Sequence, residues 1–488
     1  MSNVERGKNM KNLKKKNIRF CLGILLVYAF LAMVFYFASG SQLFERQSKY
    51  ELDRIPGDYP LQELTEGDTI KQTFICEMDI LERFDLWIST FARDNTGTIN
   101  VKLIDETTNN VEYEKLVDVS KLIDSEQLEF ILDTPIKDVK SHTLSIQITS
   151  LDGEIGNAVS PWYSSKTQVE GQKLYQLEEE KKGVLTFATY GKDYVWTGPY
   201  YWEIVGMGSI LLIIYCINLI TKAEKQKKSY GLILIFVYKK YKFLIKQLVS
   251  RDFKIKYKRS VLGAFWSFLN PLLMMCVQYV VFSTIFKADI ENYPVYLLAG
   301  IVLFNFFSEA TNVSIGAIVG NASLITKVYV PKYIYPVSKV LSASINLLIS
   351  MCPLLIMCLV TGVRITKAFL VLPFVIVCLL LFCIGIGFIL SSLMVFFRDI
   401  QFIWSVFSLV WMYATPVFYP ESILPEGFSA ILKINPMYYF IKFFRIVLIE
   451  GVVPEPRMFV YCIISTIVPL VLGSVLFKKT QDKFVFYI

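Results

Sequence analysis

Side chains able to do chemistry are few in this chain, and their types exclude more than they offer. His142 is the sole histidine, which excludes multi-histidine metal centres and leaves little for imidazole acid–base catalysis. Eight of the nine cysteines lie in or beside apolar runs. Cys76 alone lies in a polar region, so that region holds no internal disulfide. No G-x-x-x-x-G-K-[ST] phosphate loop occurs, so no cofactor is expected in the chain, and ATP-driven work would need a second protein. The remaining candidates are charged and amide groups set against apolar runs. They are the basic segment Ser250–Arg259, the run Asn321–Lys332, the pair Arg398 and Asp399, the isolated Glu309, and Lys442 and Arg445, which share a helical face. With so few intramembrane carboxylates, ion coupling and proton relays are disfavoured.

The elements that must position these groups are membrane spans. The 488 residues are 54% apolar with a mean hydropathy of +0.46 and repeated apolar runs near 20 residues, the pattern of an integral membrane protein. Residues 41–201 carry 29 acidic and 16 basic side chains, a balance of −13, whereas the remainder is at +21. Lys and Arg cluster beside the apolar runs as cytosolic flanks do, which argues against a nucleic-acid partner. Residues 1–38 read as a basic cytosolic tail and an uncleaved first anchor, Phe20–Ala38, too long for a signal peptide and without a small-x-small cleavage pattern. Residues 39–201 alternate in short β-type segments such as Phe84–Ile88, Ile99–Ile104 and Leu144–Ile148. This predicts an extracytoplasmic β-sandwich of jelly-roll type, and its Trp87, Trp162, Tyr163 and Trp196 suit either a core or a sugar platform.

Residues 202–221 form the second anchor. In the basic segment 222–261, Tyr241, Leu244, Ile245, Leu248 and Val249 fall on one helical face with Lys240, Lys242 and Lys246 off it, as in an interfacial helix. Residues 262–488 then hold six spans, near 262–286, 294–316, 337–361, 368–394, 400–419 and 457–477. The fold expected is an α-helical polytopic membrane protein of about eight transmembrane helices with an inserted β-sandwich domain and both termini cytosolic.

Within this frame Asn321 is placed to cap a short cytosolic helix that the pre-proline residue Val330 ends; a stiff transmitting element and an ordinary connector both fit. The apolar segment Pro436–Ile449 is too short to cross and carries Lys442 and Arg445. A re-entrant course near 416–450 satisfies its backbone, and the two cations suit either a lipid-linked phosphate or headgroup snorkelling. Trp266, Phe304, Phe307, Trp411 and Tyr413 suit either a sugar passage or helix packing.

Three stretches carry a family resemblance: RDFKIKYKRSVLGAFWSFLNPLL from Arg251, NASLITKVYVPKYIYPVS from Asn321, and FFRDI from Phe396. Together they resemble the permease subunit of type-2 ABC transporters, in the branch that exports polysaccharides, polyol phosphates, O-antigen and teichoic-acid glycans. The resemblance covers roughly residues 235–488. It implies ATPase-coupling roles for Arg251, Asp252, Lys256, Tyr257, Asn321, Leu324, Lys327, Pro331, Lys332, Arg398 and Asp399. It also implies a homodimer, two copies of a separate ATPase that binds ATP and magnesium, and a lipid-linked glycan substrate in a bacterial cytoplasmic membrane. A membrane glycosyltransferase or flippase acting on lipid-linked sugars, and a type-2 exporter of small hydrophobic compounds, stay open as alternatives.

Overall fold

The computed structural model describes residues 3–51, 59–165, 169, 171–177, 179–225, 230–258, 260–286, 292–327, 330–421, 427 and 429–488. Val328, Tyr329 and Arg259, which belong to two of the stretches above, lie outside the described residues. The chain divides into two units, Ser41–Tyr201 and a helical unit made of residues 1–40 and 202–488.

The helical unit begins with α1 (Asn3–Ser39). The inserted unit is all β. In chain order its strands are β1 (Glu45–Glu51), β2 (Tyr59–Pro60), β3 (Thr69–Ile75), β4 (Ile80–Ser89), β5 (Thr98–Asp105), β6 (Asn110–Asp118), β7 (Gln127–Lys137), β8 (Thr143–Ser150), β9 (Ser160–Ser164), β10 (Lys173–Gln176), β11 (Glu179–Lys181), β12 (Val184–Leu185) and β13 (Phe187–Tyr194). One sheet runs β1-β13-β4-β9-β12, with β2 on β9 and β7 on β4; the other runs β11-β10-β3-β8-β5-β6. In β5 the residues alternate half-buried and buried along the whole strand, the mark of a sheet with one face in a core. Phe74 of the second sheet meets Phe187 of the first at 5.0 Å, and Phe84 stacks on Phe130 at 4.9 Å, so the sandwich closes on a dry aromatic centre. His142 serves this unit: its Nδ1 lies 2.8 Å from the buried carboxylate of Asp105. Burial pushes the Asp105 carboxyl up, but bonds from His142, Thr107 and Thr108 outweigh it and hold the group below its ordinary value.

The helical unit continues with α2 (Tyr201–Glu224), α3 (Tyr230–Tyr257), α4 (Trp266–Phe286), α5 (Tyr293–Ile315), α6 (Ala322–Lys327), α7 (Ile334–Val360), α8 (Leu372–Phe396), α9 (Ile400–Tyr413), α10 (Ser429–Ile434), α11 (Pro436–Arg445), α12 (Pro456–Thr480) and α13 (Phe484–Tyr487). Seven helices among the described residues are long and apolar enough to cross a membrane. The run expected at 400–419 is shorter. Its helix stops at Tyr413, where Thr415 turns its hydroxyl back to the Trp411 carbonyl and Pro416 follows. Fourteen residues rise about 21 Å, less than a hydrocarbon core of about 30 Å.

α3 lies on the helical core as its periodicity predicts, with Leu248 buried, Tyr241, Leu244 and Ile245 packed against the core, and Lys240, Lys242 and Lys246 exposed. α1 and α2 run side by side: Tyr28 donates to the Val205 carbonyl at 3.1 Å, and the Tyr36 and Trp202 rings meet at 5.2 Å. α1 also reaches the core, where Ala38 is buried and Phe35 meets Phe459 edge-on at 5.4 Å. α8 and α12 approach most closely at Gly385, where a Cβ would lie 2.5 Å from the Leu470 nitrogen. Small residues allow such backbone contact between membrane helices.

Candidate functional site

Two polar constructions stand out against the apolar core, one where α3 meets α5, α6 and α7, the other around α11. The first starts at the C-terminal turns of α3. Arg251 donates to the Asp252 carboxylate at 3.1 and 3.2 Å and to the Asn321 side-chain carbonyl at 3.1 Å. Asp252 also pairs with Lys339 of α7 at 3.0 Å. Asn321 closes the set by donating to the Ala317 carbonyl at 2.8 Å. Its side chain therefore points sideways to Arg251 and does not cap α6, as the sequence suggested. A 3-10 turn, Val319–Asn321, precedes α6 and uses the local backbone groups itself.

One turn further along α3, Lys256 pairs with Glu309 of α5 at 2.6 Å. The same carboxylate accepts from the Asn346 amide of α7 at 2.6 Å. Asn346 in turn accepts from the Tyr257 hydroxyl at 2.8 Å and the Ser267 hydroxyl at 3.3 Å, and Tyr257 and Ser267 also touch. Four elements, α3, α4, α5 and α7, are thus laced by one network of charge-assisted and neutral bonds. Tyr257 is half-buried and takes part in this lattice.

The other positions assigned to ATPase coupling lie apart. Leu324 and Lys327 are exposed on α6. Lys332 is engaged: it donates to the Gln481 carbonyl at 2.5 Å and lies over the Phe484 ring, while Pro331 beside it is half-buried. Arg398 and Asp399 are exposed in the turn between α8 and α9, and among the described residues neither pairs with Arg251 or Asp252. Sequence reasoning missed Lys339 and Asn346. They stand seven apart on α7, and with Ser350 four further on they form a polar line in an apolar helix, a spacing that could have flagged them.

The second construction is built on Arg445. Its guanidinium is buried and donates to the carbonyls of Pro416 at 2.7 Å, Val417 at 2.8 Å and Tyr296 at 3.1 and 3.2 Å, with the Tyr296 ring 3.4 Å away. Tyr293 and Tyr296 donate to the carbonyls of Phe418 and Tyr419 at 2.8 and 2.9 Å. Asn435 caps α11 by accepting from the Met437 amide at 3.0 Å, and it also bonds Thr415 at 2.8 Å and the Trp411 indole at 2.7 Å. The four carbonyls of residues 416–419 are therefore satisfied by side chains, as non-helical chain at membrane depth requires. Lys442 pairs with Glu421 at 3.0 Å and accepts no role beside Arg445, whose donors are all turned inward.

Part of the passage read from the aromatics and cations is helix packing or backbone support instead. Phe304 and Phe307 are buried, Phe307 against Phe382, Trp404 and Trp411 at 5.0–6.2 Å. Arg445 is spent on backbone carbonyls. Trp266 and Tyr413 are exposed and Trp411 is half-buried.

Comparison with known proteins falls on the same half of the chain. The model of the ABC-2 type transporter family matches residues 243–449. An O-antigen export system permease protein of Myxococcus xanthus is 30% identical over 246 residues, 50% of this chain and 95% of that protein. One of Klebsiella pneumoniae is 29% identical over 242 residues, 49% of this chain and 93% of that protein. A polysialic acid transport protein of Escherichia coli is 23% identical over 249 residues, 49% and 95% of the two chains. A permease 30% identical and matched over 95% of its length, together with a family match over residues 243–449, the region that holds both polar constructions, means that the chain belongs to the ABC-2 type transporter family as a membrane permease with a β-sandwich unit added ahead of its core.

Proposed function

We propose that the chain is the membrane subunit of an ATP-driven exporter that moves a lipid-linked polysaccharide or polyol-phosphate glycan across the bacterial cytoplasmic membrane. Two copies of the chain and two copies of a separate ATPase, which binds ATP and magnesium, make up the working assembly. The basic flanks at Lys222–Lys228 and Lys478–Lys479 support a topology with both termini in the cytosol and the β-sandwich outside, in which α9 and the irregular segment after it together make the eighth crossing. There the β-sandwich receives the emerging chain.

The observation that carries this reading is the Arg251–Asn321 bond at 3.1 Å. It ties the interfacial helix α3 to the short helix α6, whose Leu324 and Lys327 are exposed. A force on α6 from a closing ATPase dimer is thereby delivered to α3, and through Asp252–Lys339 to α7. The three relatives, named for O-antigen export and polysialic acid transport, support the choice of cargo.

The test is affinity purification of the tagged chain from its own membrane, with surface glycan measured in parallel. A phosphate-loop ATPase should co-purify at one copy per permease, and Leu324→Asp with Lys327→Glu should cut its recovery and the surface glycan at least tenfold. A pure preparation with no ATPase, or unchanged surface glycan in the double variant, overturns the proposal.

A further inference from the structure

Among the described candidate spans α5 is the most enclosed, and apart from the exposed Val313 what its second half leaves uncovered is polar. Val302–Phe304, Phe306, Phe307, Ala310, Thr311 and Ser314 are buried, whereas Asn305 and Asn312 are exposed and Ser308 and Glu309 half-buried. Asn305, Glu309 and Asn312 stand at i, i+4 and i+7, so they share one face, and from Asn305 to Gly316 that face extends about 16 Å. Towards the other end the same face continues into Ile301 and Leu298, which are buried. Asn270 of α4 is exposed beside it. Among the described residues, the amides of Asn305 and Asn270 have no partner. An unsatisfied amide against hydrocarbon costs several kcal/mol by the transfer scales, so this face is built for water or a polar ligand.

Two clefts open on it. The larger, about 600 Å3, is walled by Arg251, Asp252, Asn321 and Lys339, a volume in the range of small-molecule sites. The smaller, about 220 Å3, is walled by Trp266, Asn270, Asn305 and Asn346. Lys256 and Glu309 line both, so their ion pair is the wall between the two clefts.

The chemistry of the lining selects an occupant. Carboxamides donate and accept at once, as hydroxyl groups do, and the half-exposed Trp266 offers a ring face. The charges are already paired among themselves, Lys256 with Glu309 and Asp252 with Arg251 and Lys339. A chain of hydroxyls would be held by many weak bonds and trapped by none, which is what passage requires. We propose that this crevice is a polyol track, in which the unpartnered amides of Asn305 and Asn270 bind the hydroxyls of a sugar or polyol chain and the Lys256–Glu309 pair is the partition that the chain displaces. The inference rests on the glycan-export reading and adds the residues that contact the cargo.

The test uses the full-length chain in native membrane vesicles, with Asn305→Cys, Asn270→Cys and the lipid-facing control Val277→Cys, each corrected for labelling of the unsubstituted protein. A disulfonated maleimide reports water, and a maltotriose-linked maleimide reports a sugar chain. Both should label the Asn305→Cys and Asn270→Cys positions at least tenfold faster than the control, and Glu309→Gln should raise the maltotriose-probe rate at position 305 severalfold. Rates no faster than the control, or labelling by the disulfonate alone, overturn the track, and an unchanged rate in Glu309→Gln overturns the partition. Labelling needs neither ATP nor export. A failure here with an ATPase still bound refutes the track alone, whereas labelling without any bound ATPase refutes the exporter reading.

Discussion

At the residue scale, Arg445 shows how a cation in a membrane unit can be purely architectural. Its fork bridges three carbonyls from two separate elements. Arg445→Met would strand those acceptors, at about 1–3 kcal/mol for each buried group left unpaired. Arg445→Lys should do no better, because a point charge on a flexible stem cannot span the fork. Both variants are expected to lower the thermal midpoint of the detergent-solubilised protein by about 5–10 °C; a Lys variant as stable as the parent would contradict this account. Sequence spacing put Lys442 and Arg445 on one face, which was legible. The carbonyls opposite them were not, because they come from residues more than 25 positions away. Phe304 and Asn305 make the complementary case. In a helix apolar nearly all round, periodicity does not tell which side is covered, so the aromatic looked like the pathway and its polar neighbour was passed over. The spacing of Asn305, Glu309 and Asn312 was in the sequence throughout.

At the scale of elements, the amphipathic helix α3 and most spans were legible because hydrophobic periodicity and run length are strong signals. The fifth apolar run of the core was overextended. Hydropathy carries on through Tyr413–Tyr419, and only the Thr415-Pro416 pair marks where the backbone leaves the helix. Helix pairing was not legible, since it depends on which small residues face each other. Gly385 of α8 lies against Pro469 and Leu470 of α12, and Thr466 of α12 donates to the Cys378 carbonyl at 3.1 Å. Gly385→Val should force the two helices apart and lower the thermal midpoint by more than 5 °C. Gly23→Ala on α1, where a Cβ meets nothing within 4 Å, should leave it unchanged. Equal effects from the two would show that the α8–α12 contact is not close-packed.

For the molecule as a whole, the acidic composition of residues 41–201 announced a separate unit, and the strand segments within it were readable from alternation. The attachment of α1 to the permease core was hidden. Phe35 and Ala38 reach a surface whose other members lie more than 300 positions later. A chain begun at residue 225 should still insert and retain its ATPase, but with a lower thermal midpoint, and Phe35→Ala in the full-length chain should reproduce part of that loss. Loss of ATPase binding in the truncated chain would show instead that the first half is integral to the permease. The inserted unit has one more property. β1 and β13 pair from Glu45 with Tyr194 to Glu51 with Ala188, so the chain enters and leaves the sandwich on neighbouring strands about 5 Å apart. A unit with its two ends side by side is a cassette. It can be lifted out and replaced by any domain whose termini also meet, without altering the course of α1 or α2, and so a binding module of chosen specificity could be grafted onto the same permease.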